Sequence, residues 1–166
     1  MSGNALRFEP IDLSRHADLC VRFRIDSYVC SLGSSEKFYE HNETVQGYID
    51  WLRKRMQELP GSCVHLWKGD GIIGQLEMGR YRTIPEMGYV NLYYLVPEAR
   101  GTGISHRLDD YVRQFYSALA LKQARLNVSP TNERAIRYYE KQGWQNLGPD
   151  PRHPEMLVFE RTFGPA

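Results

Sequence analysis

A glycine-containing segment in the second half of the chain has the residue types and spacing that can bind phosphate. Residues 100–105 read Arg-Gly-Thr-Gly-Ile-Ser, between a predicted strand at residues 88–96 and a predicted helix. Two glycines let successive amides point into one concavity, and the following helix adds unpaired N–H groups and its dipole. Such backbone donors can hold a pyrophosphate, and Arg100 adds a positive charge. A plain strand-to-helix turn explains two glycines equally well.

Two common phosphate-binding motifs are absent from this segment. No Gly-Lys-Ser or Gly-Lys-Thr follows the glycines, which excludes a Walker A loop. The glycine spacing of a dinucleotide-binding turn is also missing, and no acidic residue ends the next predicted strand. The glycine loop alone therefore leaves a structural turn and a different kind of phosphate site as the alternatives.

A second segment, about thirty residues further along the chain, decides between these alternatives. It matches the pattern Asn-x-x-Ala-x-x-x-Tyr-x-x-x-Gly-Phe/Trp at Asn132, Ala135, Tyr139, Gly143 and Trp144. Together the two segments strongly resemble the GNAT family of N-acetyltransferases, whose loop reads Arg/Gln-x-x-Gly-x-Gly/Ala. Ser105 is the one departure, and serine is small and leaves the backbone amide unchanged. The resemblance is specific from about residue 88 to residue 144 and extends loosely, through the order of elements, over the whole chain.

The resemblance implies a role for each matching residue. The pyrophosphate of coenzyme A would be held beside Arg100 by five consecutive amides, those of Gly101, Thr102, Gly103, Ile104 and Ser105. The backbone of Leu95 and Val96 would bond the pantetheine arm, and Asn132 would contact the cofactor while also capping a helix.

Tyr139 matches the general acid of the family. A phenol with a pKa of about 10 can protonate or hydrogen-bond a departing thiolate whose conjugate acid has a pKa of about 8.5. Helical spacing with Ala135 and Ile136 would equally place Tyr139 in the core. The motif match favours the catalytic interpretation.

The acceptor amine needs help in losing a proton, and the pattern does not select the base. An alkyl ammonium with a pKa of about 10.4 is almost wholly protonated at neutral pH. Glu77 is the first candidate for the base, and Glu86, Asn91 and Tyr93 are the others; for each of them a solvated or structural side chain is the alternative. Water relayed through the strands would require none of them.

The implied reaction moves an acetyl group from acetyl-coenzyme A, as cosubstrate, to a primary amine of a small molecule or peptide by direct attack in a ternary complex. The alternative is a non-catalytic acyl-coenzyme A-binding sensor, in which Tyr139 would be dispensable. In this family the acceptor cleft is built largely from segments corresponding to residues 28–42 and 80–87. Aromatic residues there could clasp an apolar or cationic group (Tyr28, Phe38, Tyr39, Tyr81), and acidic ones could favour a polyamine or aminoglycoside (Glu36, Glu40, Glu43). Homodimers are frequent in the family.

Hydrophobic periodicity predicts the elements that must position these residues. It predicts a strand at residues 6–10, a helix capped by Ser14, a polar loop at residues 31–40 and a helix at residues 45–59. Alternation then predicts a hairpin of residues 63–68 and 72–79, before the strand at residues 88–96. After the glycine loop come a long helix, a strand at residues 124–128, a helix to Gln142 and two late strands near residues 144–147 and 156–161.

This order indicates an α/β fold of mixed type. The resemblance implies a largely antiparallel central sheet of about six to seven strands, flanked by about four helices and splayed at the cofactor cleft. We expect a single domain over residues 1–166.

Composition narrows the class of protein further. The formal net charge of +1, without a long run of either sign, predicts no nucleic-acid partner and no membrane-surface partner. Apolar runs are far shorter than the roughly 18 residues of a spanning helix, and residues 1–10 lack a signal-peptide core, which favours the cytoplasm. Three scattered cysteines and isolated histidines lack metal-ligand spacing, so no metal is expected.

Overall fold

Seven strands form one sheet in the computed structural model, which describes residues 5–42 and 44–163. The strands are β1 (Leu6–Pro10), β2 (Cys63–Lys68), β3 (Gly71–Arg80), β4 (Met87–Leu95), β5 (Gln123–Val128), β6 (Gln145–Pro149) and β7 (Leu157–Thr162). Their order across the sheet is β1-β2-β3-β4-β5-β7-β6. The pairing of β4 with β5 is parallel, and the other pairings are antiparallel. The expected mixed, largely antiparallel sheet is thus confirmed.

Among the described residues, five α-helices cover the sheet: α1 (Leu13–Leu32), α2 (Glu36–Asn42), α3 (Val45–Glu58), α4 (Ser105–Ala118) and α5 (Glu133–Lys141). Side chains that alternate along β2 and β3 divide the core into two layers. On one face, Cys63 joins a cluster with residues of α1, α2 and α3. On the other face, Val64 and Leu76 pack with α4 and α5.

The segment at residues 31–40 differs from its prediction as a loop. Helix α1 continues to Leu32, where Gly33 caps it at φ +75°, and α2 begins at Glu36. The fully buried ring of Phe38 anchors α2 against Tyr48 of α3. Burying one aromatic ring can stabilise a short polar helix whose own sequence has too few apolar positions to reveal it.

The start of α1 also differs from its prediction. Asp12 rather than Ser14 is the N-cap, because its carboxylate accepts hydrogen bonds from both the amide and the hydroxyl of Ser14. The predicted stop after α3 and the predicted cap at Asn132 are both present. The side-chain oxygen of Asn132 accepts a hydrogen bond from the amide of Ala135.

Candidate active site

The sheet splits between β4 and β5. The two strands pair only at Met87–Gln123, Gly88–Ala124 and Tyr89–Arg125, and beyond Tyr89 the remainder of β4 has no partner on this side. A cavity of about 700 Å³ opens in the split, lined by both strands, by α1 and by α5. The splay expected from the resemblance is therefore present, and it leaves the cleft edge of β4 available to a ligand.

The glycine loop follows the end of β4 that is not paired with β5, and it borders the cavity. Gly101 and Gly103 adopt φ values of +73° and +88°, which glycine reaches without strain. Within the described chain, none of the five amides of residues 101–105 donates a hydrogen bond to backbone or side chain. Gly101 and Ser105 line the cavity, and α4 begins at Ser105. Free amides at a helix N-terminus form a site suited to an anion.

Arg100 lines the cavity, although much of its hydrogen bonding is directed toward α1. Its Nη2 lies 3.1 Å from Oδ2 of Asp26, and its Nε donates to the carbonyl of Leu95 at 2.9 Å. The same Asp26 oxygen accepts the hydroxyl hydrogen bond of Tyr94 at 2.5 Å. The charge of Arg100 is thus partly balanced by Asp26. Arg134, Arg137 and Lys141 of α5 also line the cavity and supply further positive charge.

The backbone of the two predicted pantetheine-binding residues is partly occupied. The carbonyl of Leu95 accepts the bond from Arg100, and the amide of Val96 donates to the carbonyl of Ile73 at 2.9 Å. Leu95 lines the cavity. Residues 90–94 of β4 have no strand partner on this side, and they lie nearer than Leu95 and Val96 to the point where β4 leaves β5.

Tyr139 forms part of the cavity wall, on α5. Its ring lies among those of Tyr93, Tyr138 and Trp144. Burial raises the pKa of Tyr139, and Tyr138 raises it further, so the phenol stays protonated at neutral pH. A protonated phenol beside a cleft can donate a proton or a hydrogen bond, as an acid must.

Asn132 holds the start of α5 against the end of α1. Besides capping α5, it donates from Nδ2 to the hydroxyl of Ser31 at 3.1 Å. The hydroxyl of Thr131 donates to the carbonyl of Ser31 at 3.0 Å. Asn132 and Ser31 both line the cavity, so the helix cap and the cofactor contact predicted for Asn132 are compatible.

Glu77 is buried beneath the cavity and is not among its lining residues. Its carboxylate pairs with Nη1 of Arg24 at 3.1 Å and accepts hydrogen bonds from the hydroxyl of Tyr48 and from Nε2 of Gln75. Gln75 in turn lies 2.8 Å from Nε2 of His65. Of the other base candidates, Glu86 is exposed, whereas Asn91 and Tyr93 line the cavity.

Arg24 lines the cavity and was missed by sequence reasoning. Nη1 donates to the carbonyl of Asn91 at 2.9 Å, in addition to its ion pair with Glu77. Asn91 is the extra residue of a bulge in β4, because Glu77 pairs with Leu92 and Met78 pairs with Val90. Arg24 falls on the same helical face as Val21, Ile25 and Tyr28, so a charge inside an apolar stripe was the available signal.

Comparison with known proteins identifies the family. The chain belongs to the acetyltransferase (GNAT) family, which its residues 27–144 match. Its fold is similar to that of PaiA N-acetyltransferase from Thermoplasma acidophilum, solved in complex with coenzyme A, with a TM-score of 0.77 at 14% identity over 96% of this chain and 99% of that one.

Two further structures agree with this fold. An N-acetyltransferase from Staphylococcus aureus Mu50 has a TM-score of 0.73 at 13% identity, covering 95% of this chain and 98% of the other. An acetyltransferase from Thermus thermophilus has a TM-score of 0.70 at 18% identity, covering 98% of this chain and 100% of the other. At identities this low, the similarity shows a shared fold and nothing more.

Two sequence expectations concern features outside the cleft. Within residues 5–42 and 44–163, no helix combines the length and apolarity needed to cross a membrane. The same residues contain no cluster of histidine, cysteine and carboxylate side chains that could hold a metal ion. Glu43, one of the acidic residues proposed for acceptor binding, lies outside the described residues.

Proposed function

We propose that the protein transfers an acetyl group from acetyl-coenzyme A to a primary amine. The observation that carries this proposal is the run of five unbonded amides at residues 101–105, at one end of a cavity that splits the sheet. A structural turn would not need to leave five successive donors without acceptors. A pyrophosphate would satisfy several of them at once.

The residues present fit coenzyme A along the length of the cleft. The amides of residues 101–105 would hold the pyrophosphate, with Arg134 next to Gly101 and Arg100 behind the loop. The unpaired edge of β4 would bond the pantetheine arm as a neighbouring strand would. Bound there, acetyl-coenzyme A would supply the acetyl group as an activated thioester.

Tyr139 is proposed as the proton donor. As the acceptor nitrogen forms the new C–N bond and the C–S bond breaks, the phenol donates its proton to the departing sulfur. The amine releases its own proton to solvent, and the phenol of Tyr139 takes up a proton from solvent in exchange. Burial keeps Tyr139 protonated until this step, which suits an acid and not a base.

Deprotonation of the amine is assigned to water in the cleft. Glu77 already accepts from Arg24, Tyr48 and Gln75, and the cavity wall does not include it. Removing a carboxylate from three donors to act as base would leave buried donors without partners. The contacts of Glu77 thus support a structural role over the base role predicted first.

The test combines binding with turnover. Calorimetric titration should detect acetyl-coenzyme A binding, and a panel of amines should release free thiol. Tyr139→Phe should lower kcat by about 100-fold while leaving the Kd for acetyl-coenzyme A within about twofold, because only the proton donor is lost. Tyr111→Phe is the matched control, because its hydroxyl bonds the carbonyl of Gly61 and Tyr111 does not line the cavity, so kcat should match the wild type.

Three outcomes separate the candidate functions. Failure to bind acetyl-coenzyme A contradicts the proposal outright. Tight binding without thiol release for any amine supports the acyl-coenzyme A sensor instead. An unchanged kcat in Tyr139→Phe with a verified acceptor removes Tyr139 from the acid role.

A further inference from the structure

Arg24 is a cation that lines the cavity and is mostly withdrawn from water. The side chain of Arg24 is 16% exposed, compared with 48% for Lys37, which also lines the cavity. The guanidinium carbon lies 5.5 Å from the ring centre of Tyr28 and 6.0 Å from that of Tyr48. A charge withdrawn this far from water is costly unless it is paired and hydrogen-bonded.

Glu77 fixes Arg24 in place. The bonds to Glu77 and to the carbonyl of Asn91 both come from Nη1, so they hold one corner of the planar guanidinium. Burial by itself would lower the pKa of Arg24, but the carboxylate of Glu77 together with Tyr48 and Tyr28 raises the pKa overall and keeps the group charged. Within the described chain, the buried Nε of Arg24 has no hydrogen-bond partner. An unsatisfied buried donor is unfavourable by itself, and Nε is too enclosed to bond a ligand in the cavity.

The position of Arg24 separates it from the proposed phosphate site. It bonds the backbone of Asn91, two residues beyond Tyr89, where β4 and β5 last pair. The glycine loop follows the other end of β4, and the four residues from Asn91 to Leu95 span about 14 Å of extended strand. Arg24 therefore belongs to the end of the cleft where an acceptor would meet the acetyl group.

The charges around this end do not suit a polycation. Among the described residues that line the cavity, Glu155 is the sole carboxylate, and its side chain is 60% exposed. Glu36 and Glu40, predicted to favour a polyamine or aminoglycoside, are not part of the lining, and Glu40 pairs with Lys37. A polyamine would find no buried counter-charge here and would face Arg24 and Lys37.

From this arrangement we propose that Arg24 is a specificity-determining residue, which binds a carboxylate carried by the acceptor amine. The acceptor class is then an amino acid or a similarly built amine with an acid group close to the nitrogen. Arginine suits this task because it stays charged when mostly buried and can donate from Nη2 while Glu77 and Asn91 hold Nη1. Glu77 is a positioning residue that orients Arg24. This inference rests on the proposed acetyl transfer.

The first test needs no variant. Free-thiol release is measured with acetyl-coenzyme A and each of the common amino acids, and every amino acid is paired with its amide, which lacks the negative charge. For the accepted side chains, kcat/KM should be at least about tenfold higher for the acid than for the amide. That ratio corresponds to about 1.4 kcal/mol. Equal rates, or higher rates for the amides, overturn the inference while leaving acetyl transfer intact.

The second test locates the preference at Arg24. Arg24→Gln should raise KM for the acid by about tenfold or more and remove the difference between acid and amide, with the Kd for acetyl-coenzyme A within about twofold. Arg22→Gln, at an exposed position on the same helix, is the matched control and should keep the preference. An acid preference that survives in Arg24→Gln assigns it to another residue and overturns the inference.

Two further measurements cover the remaining outcomes. Since Arg24→Gln leaves Glu77 buried without its partner, Arg24→Lys is tested too. Lysine keeps the charge, but its single nitrogen cannot both hold Glu77 and reach a ligand as the separate guanidinium nitrogens can, so it should give an intermediate KM. If no amine in the panel is turned over, N-acetyl amino acids and their amides are titrated against the coenzyme A complex of the wild type. Absence of any preference for the acids there also overturns the inference, whereas loss of coenzyme A binding would instead contradict the proposed function.

Discussion

Gly103 and Gly148 form a matched pair that tests the glycine loop directly. Their φ values are +88° and +92°, and no described atom lies within 4 Å of a Cβ built on either one. Alanine in the left-handed region costs about 1–2 kcal/mol, so each Gly→Ala variant should lose about that much free energy of unfolding. Gly148 lies in β6 and is not a lining residue of the cavity.

The two variants should differ in their binding of coenzyme A. Relaxation of residue 103 toward negative φ turns the next amides, those of Ile104 and Ser105, out of the common concavity. Binding must return residue 103 to the left-handed region at a cost of at most the same roughly 1–2 kcal/mol, so the Kd should rise by about 5- to 30-fold. The Kd of Gly148→Ala should stay within about twofold of the wild type.

Calorimetric titration with coenzyme A gives these constants, and pantetheine, which lacks the pyrophosphate, is the second probe. Gly103→Ala should leave the pantetheine Kd nearly unchanged, because the free edge of β4 is untouched. The reasoning is refuted if both variants weaken coenzyme A binding equally. It is also refuted if Gly103→Ala raises the Kd for coenzyme A and the Kd for pantetheine to the same extent.

Two further predictions concern buried groups away from the glycine loop. Burial lowers the pKa of His65 from 6.5 to about 4, so between these pH values the unfolded chain is protonated and the folded chain is not. The free energy of unfolding should therefore fall as the pH drops through this window, by on the order of 3 kcal/mol, and His65→Gln should flatten the profile while the exposed His153→Gln should not. A Cβ at Gly88 would lie 2.4 Å from the buried ring of Tyr116, compared with 3.8 Å to the nearest atom at Gly71. Gly88→Ala should thus lose about 2 kcal/mol in urea unfolding and Gly71→Ala less than about 0.5 kcal/mol, and equal losses would contradict the crowding argument.

The sequence predicts the sheet well because alternation and turn residues are local signals. The hairpin of β2 and β3, the cap at Asn132 and the end of the helix predicted at residues 45–59 all follow from nearby residues. Helix α2 was missed because its stability comes from Phe38 packing against Tyr48, a contact made only after α3 folds back. No periodicity within a segment of seven mostly polar residues reveals such a contact.

The same difference between local signals and long-range contacts applies to the candidate site. The glycine loop was found from its residue types and Tyr139 from the resemblance to the family motif, since each belongs to a short continuous segment. Arg24 was not found, because its importance depends on Glu77 and Asn91, which lie more than fifty residues away in sequence. Gln75 and Glu77 alternate along β3 as solvated residues would, and only the packing of α1 and α3 over that face makes them buried.

The short pairing between β4 and β5 has a consequence for cooperativity. Three residue pairs join a half-sheet of β1 to β4 to a second half of β5, β7 and β6, so little of the ladder couples their unfolding. A ligand seated in the split contacts both halves and links their opening in one step. At a concentration 100 times its Kd it adds about 2.7 kcal/mol to the stability of the folded state. Amide hydrogen exchange should then slow together in both halves, including strands that the ligand never touches.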